Sequence, residues 1–295
     1  MDFLHNKFNL MLRIAALTLA AVFMACFFTG CDAKTKIVVA GSTSVQPYAE
    51  LLAEEFMHSQ TGIKINVQGG GSSAGIEAAI EGVAAIGMSS RDLNENEKDK
   101  LAWYKEIALD GLAIIIHPDN PIIKKSGNPN HTVDFTYEQL RDIYSGKITD
   151  WSKLGGSSGE IYLITREEGS GTRDAFEKLA MDGNRISPRA MVQNSNGGVR
   201  LQVSGNKNSI GFISMGFVEL EGKRQKPVRA VSIEKVSATI ENVLNGDYTL
   251  ARSFWFVSKD EPEGIVKEFI DFVLSEEGKK VLSGAGLVVT VEEDS

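Results

Sequence analysis

Residues 166–173 read R-E-E-G-S-G-T-R, and the reading of this run decides the fold. A short apolar run, Ile161 to Thr165, precedes it and a helix-like segment, Asp174 to Met181, follows it. A strand, a hydroxyl-bearing glycine turn and a helix N-terminus leave several backbone N–H groups unpaired and pointing at one spot, where the helix dipole adds partial positive charge. Such a turn is an anion cradle. Arg166 adds a planar fork of donors that matches a carboxylate, sulfate or phosphate. The competing description is a plain serine/glycine connector with solvated charges, and the run alone does not separate the two.

The same pattern occurs upstream. K-I-V-V-A at Lys36 to Ala40 reads as a buried strand, and Gly41-Ser42-Thr43-Ser44 turns from it into a helix with Pro47 in its first turn. Tyr48, Leu51, Leu52 and Phe56 give that helix an apolar face, and Gly62 lies beyond its end. Ile63 to Val67 alternates like a strand, Gln68 to Ser73 is a glycine and serine turn, and Ile76, Ile80 and Val83 mark a short helix. Ala84 to Met88 is a further strand ending in Ser89-Ser90-Arg91-Asp92.

Two motif spellings compete in the second turn. Gly71-Ser72-Ser73-Ala74-Gly75 matches the nucleophile elbow G-x-S-x-G, while Gly69, Gly71 and Ala74, with Asp92 further on, match a dinucleotide fingerprint. A hydrolase built on Ser73 needs a histidine base, and His58, His117 and His131 lie in no recognisable motif. A dinucleotide fold predicts one phosphate turn, whereas here several similar turns compete for that role. Backbone approach to an anion survives either way.

Asn94 to Tyr104 reads as a charged surface helix, and Leu109 to His117 as a strand running into a Pro- and Asn-rich stretch, taken as the first crossing between domains. Thr136 to Gln139 has the spacing of a capping box, with Leu140, Ile143 and Tyr144 as the apolar face of the helix it starts. Gly198 to Val203 reads as a short helix and Ser209 to Ser214 as a strand, and the many Asn and Gly residues around them fit a loose surface or a polar network behind the site, of which the surface is preferred. Ser253 to Ser258 is the expected return crossing, Ile265 to Leu274 a helix, and Leu287 to Val291 a last strand. Alternating strands and helices predict an α/β fold with largely parallel sheets.

The 295 residues, 42% hydrophobic and 24% charged, suit a globular chain of two domains. Lys7 and Arg13 precede an apolar stretch too short for a membrane span, which is the pattern of a secretory signal. Phe28-Thr29-Gly30-Cys31 resembles the bacterial lipobox, although Phe28 is larger than the pattern prefers. The resemblance implies that Cys26 is removed with the signal and that Cys31 carries lipid, so no disulfide forms. Without residues 1–30, which hold Lys7, Arg13 and Asp2, 29 basic and 38 acidic residues remain, a formal charge of −9. That balance argues against nucleic acid but not against a small anion, which feels its nearest dipoles far more than a screened net charge.

G-S-T-S-V-Q-P at Gly41 to Pro47, G-G-G-S-S-A-G at Gly69 to Gly75, I-G-M-S-S-R at Ile86 to Arg91, D-I-Y-S-G-K-I-T-D-W at Asp142 to Trp151 and T-R-E-E-G-S-G-T at Thr165 to Thr172 together resemble the phosphate-binding proteins of bacterial phosphate ABC transporters. Matches continue through Ile210-Gly211-Phe212 to F-I-D-F-V-L-S-E-E-G-K-K at Phe269 to Lys280. The resemblance implies a two-lobed periplasmic-binding-protein fold of the class II type: signal peptide 1–30, lipidated tether 31–35, first lobe 36–116 and 253–295, second lobe 117–252. It also implies a cleft closing on phosphate through Thr43, Ser44, Ser72 and Ser90 from one lobe and Arg166, Ser170, Gly171 and Thr172 from the other. No cofactor, metal or catalytic residue is expected. The expected setting is a monomer held by lipid on Cys31 at the outer side of the cytoplasmic membrane, passing phosphate to permease subunits. One position departs: Ser90 stands where well-known members carry an aspartate that accepts the phosphate's proton, so discrimination from sulfate is not read from this residue and another tetrahedral oxyanion such as sulfate is kept as an alternative. A serine hydrolase using the glycine-flanked Ser73 is the alternative of a different class.

Overall fold

The computed structural model describes residues 35–60, 62–124, 133–219 and 228–289. Its strands are β1 (Thr35–Gly41), β2 (Ile63–Gly69), β3 (Ile86–Ser89), β4 (Trp103–Ile116), β5 (Asp134–Phe135), β6 (Tyr162–Arg166), β7 (Met191–Gln193), β8 (Ser209–Ser214), β9 (Arg229–Ala230), β10 (Ser232–Ile233) and β11 (Ala251–Ser258). Helices of eight residues or more are α1 (Gln46–Ser59), α2 (Ser72–Ile80), α3 (Tyr137–Tyr144), α4 (Gly171–Ala180), α5 (Asn196–Gly205), α6 (Gly264–Leu274) and α7 (Glu276–Gly284). The fold is α/β and two-lobed.

Nine strands hydrogen-bond in the order β2-β1-β3-β11-β4-β8-β6-β7, with β9 also on β4, and β5 and β10 form a small separate pair. Each end of the sheet is parallel: β1 with β2 and β3, and β6 with β7 and β8. The middle is antiparallel, because β4 and β11 run against each other and against their outer neighbours. This qualifies the expectation of largely parallel sheets. Strands that carry the chain from one lobe to the other and back must run in opposite directions.

β4 belongs to both lobes. Trp103 to Gly111 pairs with β11, and Leu112 to Ile116 pairs with β8. Leu112, Ala113, Ile114, Ile115 and Ile116 are fully buried in the core cluster that also holds Phe176, Val199 and Phe212. The strand therefore changes partners within its length, and residues 112–116, expected in the first lobe, pack in the cluster of Phe176, Val199 and Phe212. The sequence signal used was the composition change at Pro118, which marks where the strand ends rather than where its partners change. Gly111 sits at the change, where a Cβ would come 2.6 Å from the Met215 sulfur and 3.0 Å from a Val243 methyl. Each fully buried isoleucine contributes roughly 1.5–3 kcal/mol of transfer free energy, so this run anchors the second lobe firmly to the crossing.

Helices pack as their periodicity predicts, with exceptions. α1 buries Tyr48, Ala49, Leu52, Ala53 and Phe56, and Phe56 meets Phe269 of α6 edge-on at 5.4 Å; Leu51 is exposed instead. The capping box of α3 is formed: Thr136 Oγ1 accepts from the Gln139 N–H at 3.1 Å and Gln139 Oε1 from the Thr136 N–H at 2.9 Å. Asn94 to Tyr104 differs from its expected helix. An Asn94/Glu97 capping box starts only the single turn Glu95–Lys98, and Trp103 and Tyr104, both strand formers, already belong to β4. Of the last expected strand, Val288 makes an isolated bridge to Leu109, and residues 290–295 lie outside the described residues.

Candidate functional site

Strand ends and helix starts from both lobes meet at one place. β1 leads through Ser42, Thr43 and Ser44 into α1, β2 through Gly70 and Gly71 into α2 at Ser72, and β3 into Ser90. Facing them, β6 ends at Arg166 and α4 begins at Gly171, with the Ser170 hydroxyl capping the helix by accepting from the Arg173 N–H at 3.4 Å. Ser44, Ser72, Ser90, Arg166, Ser170 and Thr172 are each at most 2% exposed, and Thr43 is half-buried. Six buried hydroxyl and guanidinium groups in one place call for partners, because an unpaired buried polar group costs about 1–3 kcal/mol.

Their partners are largely one another. Ser42 Oγ donates to Ser90 Oγ at 2.8 Å, and Ser72 Oγ accepts from the Ser90 N–H at 3.0 Å and lies 3.3 Å from Ser90 Oγ. Across the lobes, the Ser44 and Thr172 hydroxyls are 2.9 Å apart, and Arg166 donates through Nη2 to Thr43 Oγ1 at 3.2 Å and through Nη1 to Thr172 Oγ1 at 3.4 Å. A backbone bond from the Ser73 N–H to the Gly169 carbonyl, 3.1 Å, and an ion pair of Lys178 with Asp92, 2.7 Å, join the lobes beside the site. Gly171 is where the approach is tightest. A Cβ there would overlap the Ser72 hydroxyl, stand 2.6 Å from Ser90 Oγ and stand 2.9 Å from the Ser90 carbonyl carbon. All eight residues named from the sequence are thus brought together.

The charge at Arg166 is tempered. Nε and Nη2 both donate to the Glu167 carboxylate at 2.8 Å, and Nε also reaches the Gln193 carbonyl at 3.2 Å. One edge of the fork is held by protein, which fixes the plane of the guanidinium and directs its other edge toward Thr43 and Thr172. Behind α4, Phe176 stacks on Phe212 at 4.1 Å and takes Tyr144 edge-on at 4.6 Å, so the helix presenting Gly171 is seated on an aromatic core. A cavity of about 610 Å³ lined by Ser73, Arg91, Asp92, Gly169, Ser170 and Lys178 opens alongside.

Four further residues belong to the site and escaped the sequence reading. Asp110, fully buried in β4, accepts from Arg252 Nη2 at 3.1 Å and Nε at 3.3 Å, and from the Ser214 hydroxyl at 2.8 Å. Arg252 Nη2 also donates to Ser44 Oγ at 3.0 Å, as does Asn196 Nδ2 at 2.9 Å. Burial pushes the Asp110 carboxyl up and the Arg252 guanidinium down from their ordinary values, and the opposite charge of each works against that shift. Asn196 corrects the reading of its region as loose surface: it is fully buried at the N-terminus of α5. A signal was present for Asp110, since a carboxylate inside an otherwise apolar strand implies a buried cation.

Residues 30–277 match the family model described as a PBP superfamily domain, and the chain belongs to that superfamily of binding proteins. Within it, the chain belongs to the family of phosphate-binding PstS proteins. It is 30% identical to the phosphate-binding protein PstS of Bacillus subtilis over 93% of this chain and 91% of that one. The PstS of Staphylococcus epidermidis is 31% identical over 85% of this chain and 78% of its own length. Among solved structures, it is similar to a candidate phosphate ABC transporter substrate-binding protein with bound phosphate from Clostridium perfringens. That chain is 40% identical with a TM-score of 0.78, over 87% of this chain and 100% of that one. An ABC-type phosphate transport receptor from Vibrio cholerae is 37% identical with a TM-score of 0.68, over 86% and 100%.

Proposed function

We propose that this protein binds inorganic phosphate in the cleft between its lobes and delivers it to an ABC transporter. The observation that carries the reading is the convergence of Thr43, Ser44, Ser72 and Ser90 with Arg166, Ser170, Gly171 and Thr172 at the facing N-termini of α1, α2 and α4. Its PstS relatives support phosphate as the tetrahedral anion.

The chemistry is binding by oriented donors. Arg166 supplies a full positive charge at the cradle, offset in part by Glu167, and Arg252, paired with Asp110, supplies another beside Ser44. Helix N-termini and hydroxyl hydrogens supply the rest, so the anion is held by dipoles as much as by charge. A micromolar affinity needs about 8 kcal/mol and hydrogen bonds to a charged group contribute roughly 1.5–3 kcal/mol each, so a handful of net contacts suffices. On this reading the anion takes up the hydrogen-bonding capacity that the Ser44–Thr172 and Ser72–Ser90 bonds leave open. Gly171 lets α4 approach closely enough for both lobes to reach it.

Sulfate is the second reading, and Ser90 is what favours keeping it: a serine offers no carboxylate to repel an anion that lacks a proton. Ser73, the nucleophile of the hydrolase alternative, accepts from Arg91 Nη2 at 3.1 Å, and Arg91 is held bidentate by Glu97, an arrangement suited to bracing the cleft edge. Cys31 lies outside the described residues. We place lipid on it, residues 1–30 as its signal and 31–34 as a tether, because Thr35, expected in the tether, is already paired with Ile63 in β1, with a monomer at the outer face of the cytoplasmic membrane. No helix among the described residues is long and apolar enough to cross a membrane.

Calorimetry on the protein lacking its signal tests the reading. Phosphate is expected to bind at micromolar concentration or below, and Arg166→Ala to weaken it by about tenfold or more. Absence of binding heat in buffers of different ionisation enthalpy, or an unchanged affinity in the variant, contradicts it. Competition with sulfate separates the two anions.

A further inference from the structure

Ser44 Oγ has more neighbours than a hydroxyl can treat alike. A hydroxyl has one hydrogen and two lone pairs. Asn196 Nδ2 donates to it at 2.9 Å and Arg252 Nη2 at 3.0 Å, and Thr172 Oγ1 is the third neighbour, at 2.9 Å. The Asn196 amide has its orientation set, because its Oδ1 accepts the Ser214 N–H at 3.1 Å. Arg252 has only donors and is held by Asp110. Both lone pairs of Ser44 are therefore filled, and its hydrogen goes to Thr172. Thr172 Oγ1 then accepts from Ser44 and from Arg166 Nη1, at 3.4 Å, so its own hydrogen is the one left to present.

The opposite wall behaves differently. Ser42 Oγ accepts from the N–H groups of Ser44 and Val45, at 3.2 and 3.4 Å, and so donates to Ser90. Ser72 Oγ accepts the Ser90 N–H. Whichever of Ser72 and Ser90 donates to the other, the pair keeps one hydrogen and one lone pair. One wall is a one-way donor and the other is convertible.

We propose that Asn196 and Arg252 are specificity-determining positioning residues of the cleft, which act through Ser44 to make Thr172 a donor only. The anion presents a bare oxygen to Thr172, and any proton it carries is directed to the Ser72–Ser90 pair. Because Asn196 comes from the second lobe and Ser44 from the first, the polarity of Thr172 is set only when the lobes are together. Arg252 Nη1, buried and without a hydrogen-bond partner among the described residues, leaves another donor, not an acceptor, on that side. The inference deepens the anion-binding reading above and rests on it.

A double-mutant cycle read by phosphate calorimetry tests it. Asn196→Leu frees a lone pair on Ser44, allows Thr172 to turn, and is expected to weaken phosphate by about tenfold; in a Thr172→Val background, where no hydroxyl remains to be set, the same change is expected to cost no more than about twofold. Equal losses in both backgrounds overturn the proposal, because a merely structural role for Asn196 does not depend on the Thr172 hydroxyl. If Asn196→Leu does not fold, Asn196→Asp keeps the shape but accepts the Ser44 hydrogen and reverses the relay. Its loss must again be larger with Thr172 present than in the Thr172→Val background, and an equal loss overturns the proposal. Failure of the unaltered protein to bind phosphate counts against the function instead.

Discussion

Replacing Gly171 by alanine isolates closure from folding. The backbone of Gly171 is not in the left-handed region, so alanine is conformationally acceptable there, and in a helix it is favoured over glycine by up to about 1 kcal/mol. Its methyl, however, would overlap the Ser72 hydroxyl and stand 2.6 Å from Ser90 Oγ and 2.9 Å from the Ser90 carbonyl carbon. A side chain can rotate away, but the Ser90 backbone is held between the Ser72 hydroxyl and β3, so α4 must withdraw from the first lobe. Withdrawal breaks Ser44–Thr172, Arg166–Thr43 and Ser73–Gly169, at 2.9, 3.2 and 3.1 Å. At about 1 kcal/mol each, the loss is about 2–3 kcal/mol, or roughly 30- to 150-fold in affinity. Calorimetry with phosphate measures that loss, and a cooperative thermal melt of the phosphate-free variant checks that it is folded. A Gly171→Ala protein that binds phosphate within about threefold of the unaltered one refutes the claim that this contact sets how closely the lobes approach.

Ser90→Asp restores a carboxylate beside Ser42 and Ser72; the ratio of phosphate to sulfate affinity rises by about tenfold or more in competition calorimetry, and an unchanged ratio means that Ser90 does not face the anion. Asp110→Asn leaves Arg252 buried without its counter-charge, and denaturant unfolding then shows a loss of about 3–5 kcal/mol, whereas a loss under about 1 kcal/mol shows that the pair is not buried as described. Cys31→Ser abolishes incorporation of labelled fatty acid and releases the protein from the membrane fraction, and unchanged incorporation refutes lipid at that cysteine.

Local chemistry made part of this architecture readable in advance. The turns at Ser42–Ser44, Gly70–Ser72 and Gly169–Thr172 follow from apolar runs that stop at glycine and hydroxyl residues, and a capping box is a three-residue pattern, so Thr136 and Gln139 announced α3 directly. Asp110, Asn196 and Arg252 were missed for a physical reason. Their contacts join residues far apart in the chain: Arg252 and Asp110 are 142 positions apart, Asn196 and Ser44 152, and Arg252 and Ser44 208. Nothing in the neighbourhood of Asn196 distinguishes a polar surface turn from a buried amide. At Trp103 the helix reading failed in another way: the capped turn at Asn94 is real, but pairing with β11 takes the chain over within a few residues. The crossing inside β4 left no mark because pairing partners change there while the strand itself continues.

Phosphate released by denaturing protein purified without added phosphate, quantified against chain concentration, tests the central claim most directly. A cleft in which two lobes close a buried cradle around one tetrahedral anion should retain its ligand through purification, and the account predicts about one phosphate per chain, falling to background in Arg166→Ala. A folded, unaltered protein that carries no phosphate and gives no binding heat when phosphate is added contradicts it.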